Sequence, residues 1–293
     1  MATGQVHRAG ALKRLALLAS GRVAAVAARP YVAGATLEAA MTVCGRLGRR
    51  DLKVSLAYWN TGEESPADVA CVYRAALEAL SGIHGGCLSM KAPALGFADE
   101  HLGTILADAR GTGVRLHFDS MALDSADATH ACIERAARQG TSIGCTLPAR
   151  WRRSQQDVNR ALRLGIPVRL VKGQWEDQEF RGEVRASFLE LVERLAGTGA
   201  RVGVATHDLV LARRALQRLR SSATRCELEL LYGLPMRPLL HLAREMRVPV
   251  RVYIPHGHGW LPYALSRIRD NPRIAWWMLR DLVRGVAVLP LFD

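Results

Sequence analysis

From Leu52 onward, short runs of apolar and β-branched residues alternate with longer stretches whose apolar positions recur every three or four residues. Runs of the first kind predict buried strands and runs of the second predict amphipathic helices, so the alternation predicts repeated βα units. Strands are expected at 52–58, 87–91, 114–119, 142–147, 168–172, 202–205, 226–231 and 250–254. A helical pattern follows each. The one over 67–80 is typical, because Ser65-Pro66 ahead of it supplies an N-cap and a first-turn proline. Gly111, Gly140, Gly165 and Gly199 mark helix ends just before the next strand. Eight such repeats predict a (β/α)8 TIM-like barrel. An open doubly wound sheet is the alternative, but no strand is followed by the G-x-G-x-x-G of a dinucleotide site. Residues 1–50 are expected to be a helical lead-in packed on the barrel, and 51–293 the barrel itself.

Composition changes this picture little. The chain has 293 residues, 49% of them hydrophobic, enough for one large core. Its formal charge is +13, carried almost wholly by arginine, since lysine occurs only at Lys13, Lys53, Lys91 and Lys172. The arginines are scattered along helical faces and form no recognised nucleic-acid module, so a solvated basic surface is expected and no nucleic-acid partner. The six cysteines form no C-x-x-C pair and no metal-binding spacing. They are expected to be small core residues in a reducing, cytoplasmic setting, with no metal. No charge-free apolar run is long enough to cross a membrane. Residues 12–32 mix arginines with Leu, Ala and Val, a pattern shared by targeting peptides, amphipathic surface helices and helices packed on a barrel. A peripheral membrane location therefore stands beside the cytoplasmic one.

Barrel enzymes work at the C-terminal ends of their strands. That rule selects Lys91 after the second strand, Asp119 after the third, Arg169 and Lys172 on the fifth, His207 after the sixth and Tyr253 on the eighth. Lys91 and Lys172 are half of the lysines in an arginine-biased chain, which points to a need for a compact ammonium. In Arg169-Leu-Val171-Lys172-Gly173-Gln-Trp175, two cations on a strand end suit an anion or an electron-rich ring, Gly173 permits close backbone approach, and Trp175 offers a stacking face. After the eighth strand, helical spacing sets Tyr263 and Arg267 on one face. Aromatic walls with one guanidinium suit a small carboxylate with an apolar body.

Together these segments resemble the proline dehydrogenases, including the corresponding domain of bifunctional proline utilisation proteins. The similarity runs from Tyr31-Val-Ala-Gly34 to Arg280. Its strongest matches are Arg169-Leu-Val-Lys-Gly173 and Tyr253-x-Pro-x-Gly-x-x-Trp-x-x-Tyr263-x-x-x-Arg267. Ser89-Met-Lys91, Ala205-Thr206-His207-Asp, Glu227-x-x-x-Leu-Tyr232-Gly and Gly62-Glu63 support them. The resemblance implies a barrel that holds FAD and oxidises L-proline, or a close cyclic secondary amine, to the imine. A quinone or another acceptor, reached in some members at a membrane surface, would take the electrons. It implies that Arg169, Val171, Lys172, Gly173, Trp175, Thr206 and His207 bind the cofactor. Lys91 and Asp119 would line the substrate site and, with Arg169, serve the chemistry. Tyr253 and Tyr263 would pack around the substrate ring, with Arg267 on its carboxylate and Glu63 as a gate.

Three positions depart from the family pattern. Ser266 stands where the first arginine of the carboxylate clamp is expected, so Arg267 is left without its neighbour and Glu63 without its gating partner. Pro148 stands where the fourth strand usually delivers a glutamine to the flavin, and proline has no N–H or side-chain donor. Asp119-Ser-Met121 replaces the usual Asp-Met-Glu. An enzyme for a different amine, or a barrel without catalysis, is the alternative these changes raise.

Overall fold

Eight parallel strands hydrogen-bond in chain order into a closed barrel, β1 returning to β8. They are β1 (Lys53–Tyr58), β2 (Cys87–Met90), β3 (Arg115–Phe118), β4 (Ile143–Pro148), β5 (Val168–Val171), β6 (Arg201–Ala205), β7 (Arg225–Leu231) and β8 (Val250–His256). The computed structural model describes residues 33–259. All eight expected strands are present, offset by a residue or two at some ends. The helices between them are α2 (Pro66–Leu80), α3 (Asp99–Ala109), α4 (Ala126–Arg138), α5 (Ser154–Leu164), α6 (Val184–Leu195), α7 (Leu209–Ser221) and α8 (Arg237–Glu245), preceded by α1 (Leu37–Gly48).

Local signals set several boundaries as expected. Ser65 caps α2 reciprocally with Asp68, and Pro66 opens its first turn. Gly165 ends α5 in the left-handed conformation, its N–H closing on Ala161 and Leu162 carbonyls. Helix α1 packs on β1, β8 and α2, burying Ala40, Val43, Cys44 and Leu47. It thereby fills the groove beside β8 and β1, where a regular barrel seats the helix that follows its last strand. Residues 12–32, Tyr263, Ser266 and Arg267 lie outside the described residues.

Alternation along the strands separates two kinds of interior. One face of each strand is aliphatic or aromatic: Val54 and Leu56, Leu88 and Met90, Leu116 and Phe118, Val202 and Val204, Leu228 and Leu230, Val252 and Ile254 are all buried. These meet the helices, and that layer is the hydrophobic core, each large side chain contributing about 1.5–3 kcal/mol. The other face carries Ser55, Ser89, His117, Thr146, Arg169, Glu229 and Arg251, also buried. A barrel lumen is usually packed with branched aliphatic layers. Here it is a hydrogen-bonded polar column, which is unfavourable to bury unless every member finds partners.

Candidate active site

Arg169 is the hub of that column. From β5 its Nε donates to Glu229 on β7 at 2.6 Å, and its Nη1 to Asp119 beyond β3 at 2.7 Å. Nη1 also reaches Ser89 Oγ on β2 at 3.0 Å, and Nη2 reaches Ser55 Oγ on β1 at 3.1 Å. Such bonds are possible only across the lumen. Burial opposes the guanidinium's charge, but the Glu229 and Asp119 carboxylates beside it more than compensate and raise its pKa. Its Cζ lies 5.2 Å from the centre of the Tyr253 ring.

Asp119 gathers the upper end of the lumen. Its Oδ2 accepts from Tyr253 OH at 2.8 Å. Oδ1 accepts from Arg169, from Ser89 Oγ at 3.3 Å and from Thr146 Oγ1 at 3.4 Å. Burial and then the Asp119 charge push the Tyr253 pKa well up, so the phenol keeps its proton. Trp59 Nε1 donates to the same Tyr253 oxygen at 3.3 Å. Lys91 completes the group: its Nζ lies 5.9 Å from the Trp59 ring centre and 3.4 Å from Asn60 Oδ1. Burial lowers its pKa to about 8, a shift that Asp119 only partly offsets. Four expected residues, Lys91, Asp119, Arg169 and Tyr253, therefore converge at the C-terminal end of the barrel.

The remaining expected residues are distributed around the rim. Arg169 and Lys172 do not act as a pair, because alternation sends them to different sides. Lys172 leaves the lumen and bonds Asp208 at 3.0 Å, sharing that carboxylate with Arg185. Gly173 adopts a φ of +93°, and a Cβ there would come 2.9 Å from the Pro148 Cβ, so the neighbour that requires glycine is Pro148. Val171 is half-buried beside it and pairs with Pro148 in register. Trp175 exposes 41% of its surface. Thr206 Oγ1 accepts from the Asp208 N–H. His207 braces the β6 and β7 loops: its Nε2 accepts from the Leu231 N–H at 2.9 Å, which leaves the proton on Nδ1 to donate to the Pro235 carbonyl at 3.2 Å. Burial lowers its pKa to about 4, so it is neutral. Glu63 is exposed in the loop after β1, while its neighbour Glu64 folds back onto Thr61 and Tyr58. Tyr263, Ser266 and Arg267 cannot be placed with these.

Several members of the cluster were not singled out from sequence: Ser55, Thr146, Glu229, Trp59 and Asn60, while Ser89 entered only within the Ser89-Met-Lys91 match. The signal was available as polar residues at alternate positions of otherwise apolar strands. Glu229 falls two residues beyond Glu227, on the same strand face. Chemically, this end of the barrel gathers a fixed carboxylate, a fixed phenol, an ammonium whose pKa burial lowers to about 8, and an indole ring. That combination suits a small cationic or zwitterionic molecule with an apolar body.

No family model matches the chain. Among individual proteins, it is 26% identical over 276 residues to proline dehydrogenase 1 of Bacillus subtilis strain 168, covering 88% of this chain and 91% of that protein. Among solved structures, it matches proline utilization A from Bdellovibrio bacteriovorus with a TM-score of 0.72 at 17% identity, over 90% of this chain. Proline utilization A from Corynebacterium freiburgense gives 0.68 at 16% identity, over 94% of this chain. The chain spans 34% of the length of each of those two proteins, and at such identity they speak for the fold alone. Over most of its length, this chain is similar to the proline dehydrogenases, as a divergent relative of them.

Proposed function

We propose that the protein is a flavin-dependent oxidoreductase that oxidises L-proline, or a closely related cyclic secondary amine, to the cyclic imine. The observation that carries this reading is the convergence of Lys91, Asp119, Arg169 and Tyr253 at the catalytic end of a barrel. The donor set suits an anionic aromatic cofactor. Lys172 and Arg185 supply charge at the rim, Trp175 exposes an indole face, and Arg169 lies at the base. FAD would be held by Arg169, Val171, Lys172, Gly173, Trp175, Thr206 and His207, the histidine acting through the loops it braces. When bound, the flavin supplies the two-electron acceptor that no side chain provides.

The chain's own groups do the rest. Asp119 fixes the Tyr253 hydroxyl and so orients the phenol ring as a wall for the substrate ring. Lys91, with its pKa near 8, holds or releases a proton in the range where the substrate ammonium must lose its own. Turnover should therefore rise with pH through an ionisation of the complex. Tyr263 and Arg267 are proposed to close the pocket, Arg267 on the carboxylate. Electrons would pass on to a quinone or another acceptor. No helix among the described residues is long and apolar enough to cross a membrane.

Two departures favour a second reading, an amine whose acid group is smaller or masked. Ser266 removes one guanidinium from the clamp, and the buried Pro148 removes the donor that β4 would present. The test is the absorbance of the purified protein before and after anaerobic addition of L-proline, repeated with Ser266→Arg. A flavin spectrum near one equivalent, bleached by proline and with about tenfold tighter proline binding in Ser266→Arg, is expected. Bleaching by another cyclic amine but not by proline would select the second reading. A preparation that stays colourless after incubation with FAD would indicate a barrel without catalysis.

A further inference from the structure

The end of the barrel away from the candidate active site has a pronounced charge imbalance. Lys53 Nζ, Arg115 Nη2 and Arg251 Nε converge on the Glu227 carboxylate at 3.2, 3.3 and 2.7 Å. Arg251 also donates to the Val54 and Gly85 carbonyls, so it belongs to the frame of the barrel. Arg115 is less complete, because its Nε is buried without a hydrogen-bond partner.

Two more arginines stand at the same mouth. Arg201 opens β6 and Arg225 opens β7, and the two are paired in register. A Cβ at Gly203 would strike the Glu229 carboxylate, which bonds Arg169 across the lumen, so position 203 faces inward. Alternation gives Arg201 that same face, and Arg225 shares the face of Glu227 and Glu229. Both arginines are exposed, and neither has a carboxylate partner among the described residues. Like charges on directly paired strand positions repel. The connections that frame this end add no relief: in the eight helix-to-strand segments Asp51 is the only acid, while Arg110 and Arg247 add further cations. Three cations on one carboxylate, and two more at the neighbouring strand starts, leave an excess of positive charge at this end of the barrel.

We propose that this mouth is an anion site for a small multivalent oxyanion, inorganic phosphate or a phosphate ester. Guanidinium forks match the geometry of phosphate oxygens, and a divalent charge answers an excess that a single carboxylate leaves unbalanced. An occupant would stabilise the folded barrel by mass action, without touching the chemistry at the other end.

The experiment is a thermal-unfolding titration of the full chain with sodium phosphate, against sodium chloride at matched ionic strength. Wild type should show a saturable rise in midpoint with phosphate only. The Arg201→Ala/Arg225→Ala double variant should weaken the apparent affinity about tenfold or more. Arg181→Ala/Arg214→Ala, which removes equal charge from the loop after β5 and from the middle of α7, should leave it unchanged. If the first double variant does not fold, Arg201→Ala alone should still weaken phosphate binding severalfold. A wild-type response no larger than that to chloride would overturn the proposal. So would equal phosphate responses in the two double variants, or a response to duplex DNA or anionic vesicles with none to phosphate. These readouts do not depend on flavin content or turnover, so they fail independently of the oxidoreductase reading.

Discussion

Arg169 neutralises the buried Glu229 and half-buried Asp119 carboxylates and holds two serine hydroxyls, so its value to the fold lies in what its absence would strand in the lumen. In Arg169→Met, Asp119 and Glu229 would keep their burial and lose their counter-charge. Removing one partner of a buried ion pair typically costs about 3–5 kcal/mol, and urea unfolding at neutral pH should show a loss of that order. A loss of less than about 1 kcal/mol would mean that the two carboxylates find other donors in the lumen. Lys91 gives the opposite sign. Its ammonium is disfavoured in the folded state, where its pKa is about 8 rather than the ordinary 10.5. Between those values the unfolded chain binds more protons, so the wild type gains stability as pH rises. Lys91→Met should therefore be the more stable protein at pH 7, and its advantage should diminish on going from pH 8 to 10. An advantage that grows with pH would contradict the burial of the ammonium. Lys91, Asp119, Arg169 and Tyr253 were legible in sequence because a polar residue at the end of a barrel strand has few other uses. Glu229 and Ser55 were not, because their partners lie on strands 60 to 114 residues away.

Among the elements, the strands were read almost to the residue, since runs such as Val202–Ala205 or Val250–Ile254 are too short and too β-branched for helix. Period-two patterning was harder to exploit. In a half-solvated sheet it separates core from water, whereas here it separates an aliphatic face from a buried polar one, and both are inside. Glycine betrays the difference. Gly144 on β4 leaves no room for a Cβ beside His117, and Gly203 on β6 leaves none beside Glu229, whose Oε1 would lie 2.1 Å from it. Gly203→Ala should displace the Glu229 carboxylate from Arg169 and cost about 1–3 kcal/mol, as overpacking in a filled interior usually does. Thermal unfolding would measure it, and a change of less than a few tenths would mean that the lumen has slack. Gly173 teaches a related lesson: its freedom suggested a ligand's close approach, and the structure gives Pro148 as the close neighbour.

For the molecule as a whole, α1 (Leu37–Gly48) packs over the seam between the first and last strands. The position was not legible, because nothing in an amphipathic pattern says which groove its apolar stripe will fill. Leu47→Ala, at a site 1% exposed, should destabilise by about 2–5 kcal/mol, and a chain begun at Asp51 should be poorly soluble. A fully soluble, cooperatively unfolding truncation would show the seam to be closed by other means. The same arrangement bears on synthesis. Helix α1 leaves the ribosome before any of the strands, yet part of its resting place is β8, which is made some two hundred residues later. Through nearly all of translation, Ala40, Val43, Cys44 and Leu47 therefore form a greasy surface with only part of its native cover, and the edge of β1 stays open to strangers. Slowing elongation before residue 250 should lengthen that exposure and increase the nascent chain's dependence on chaperones.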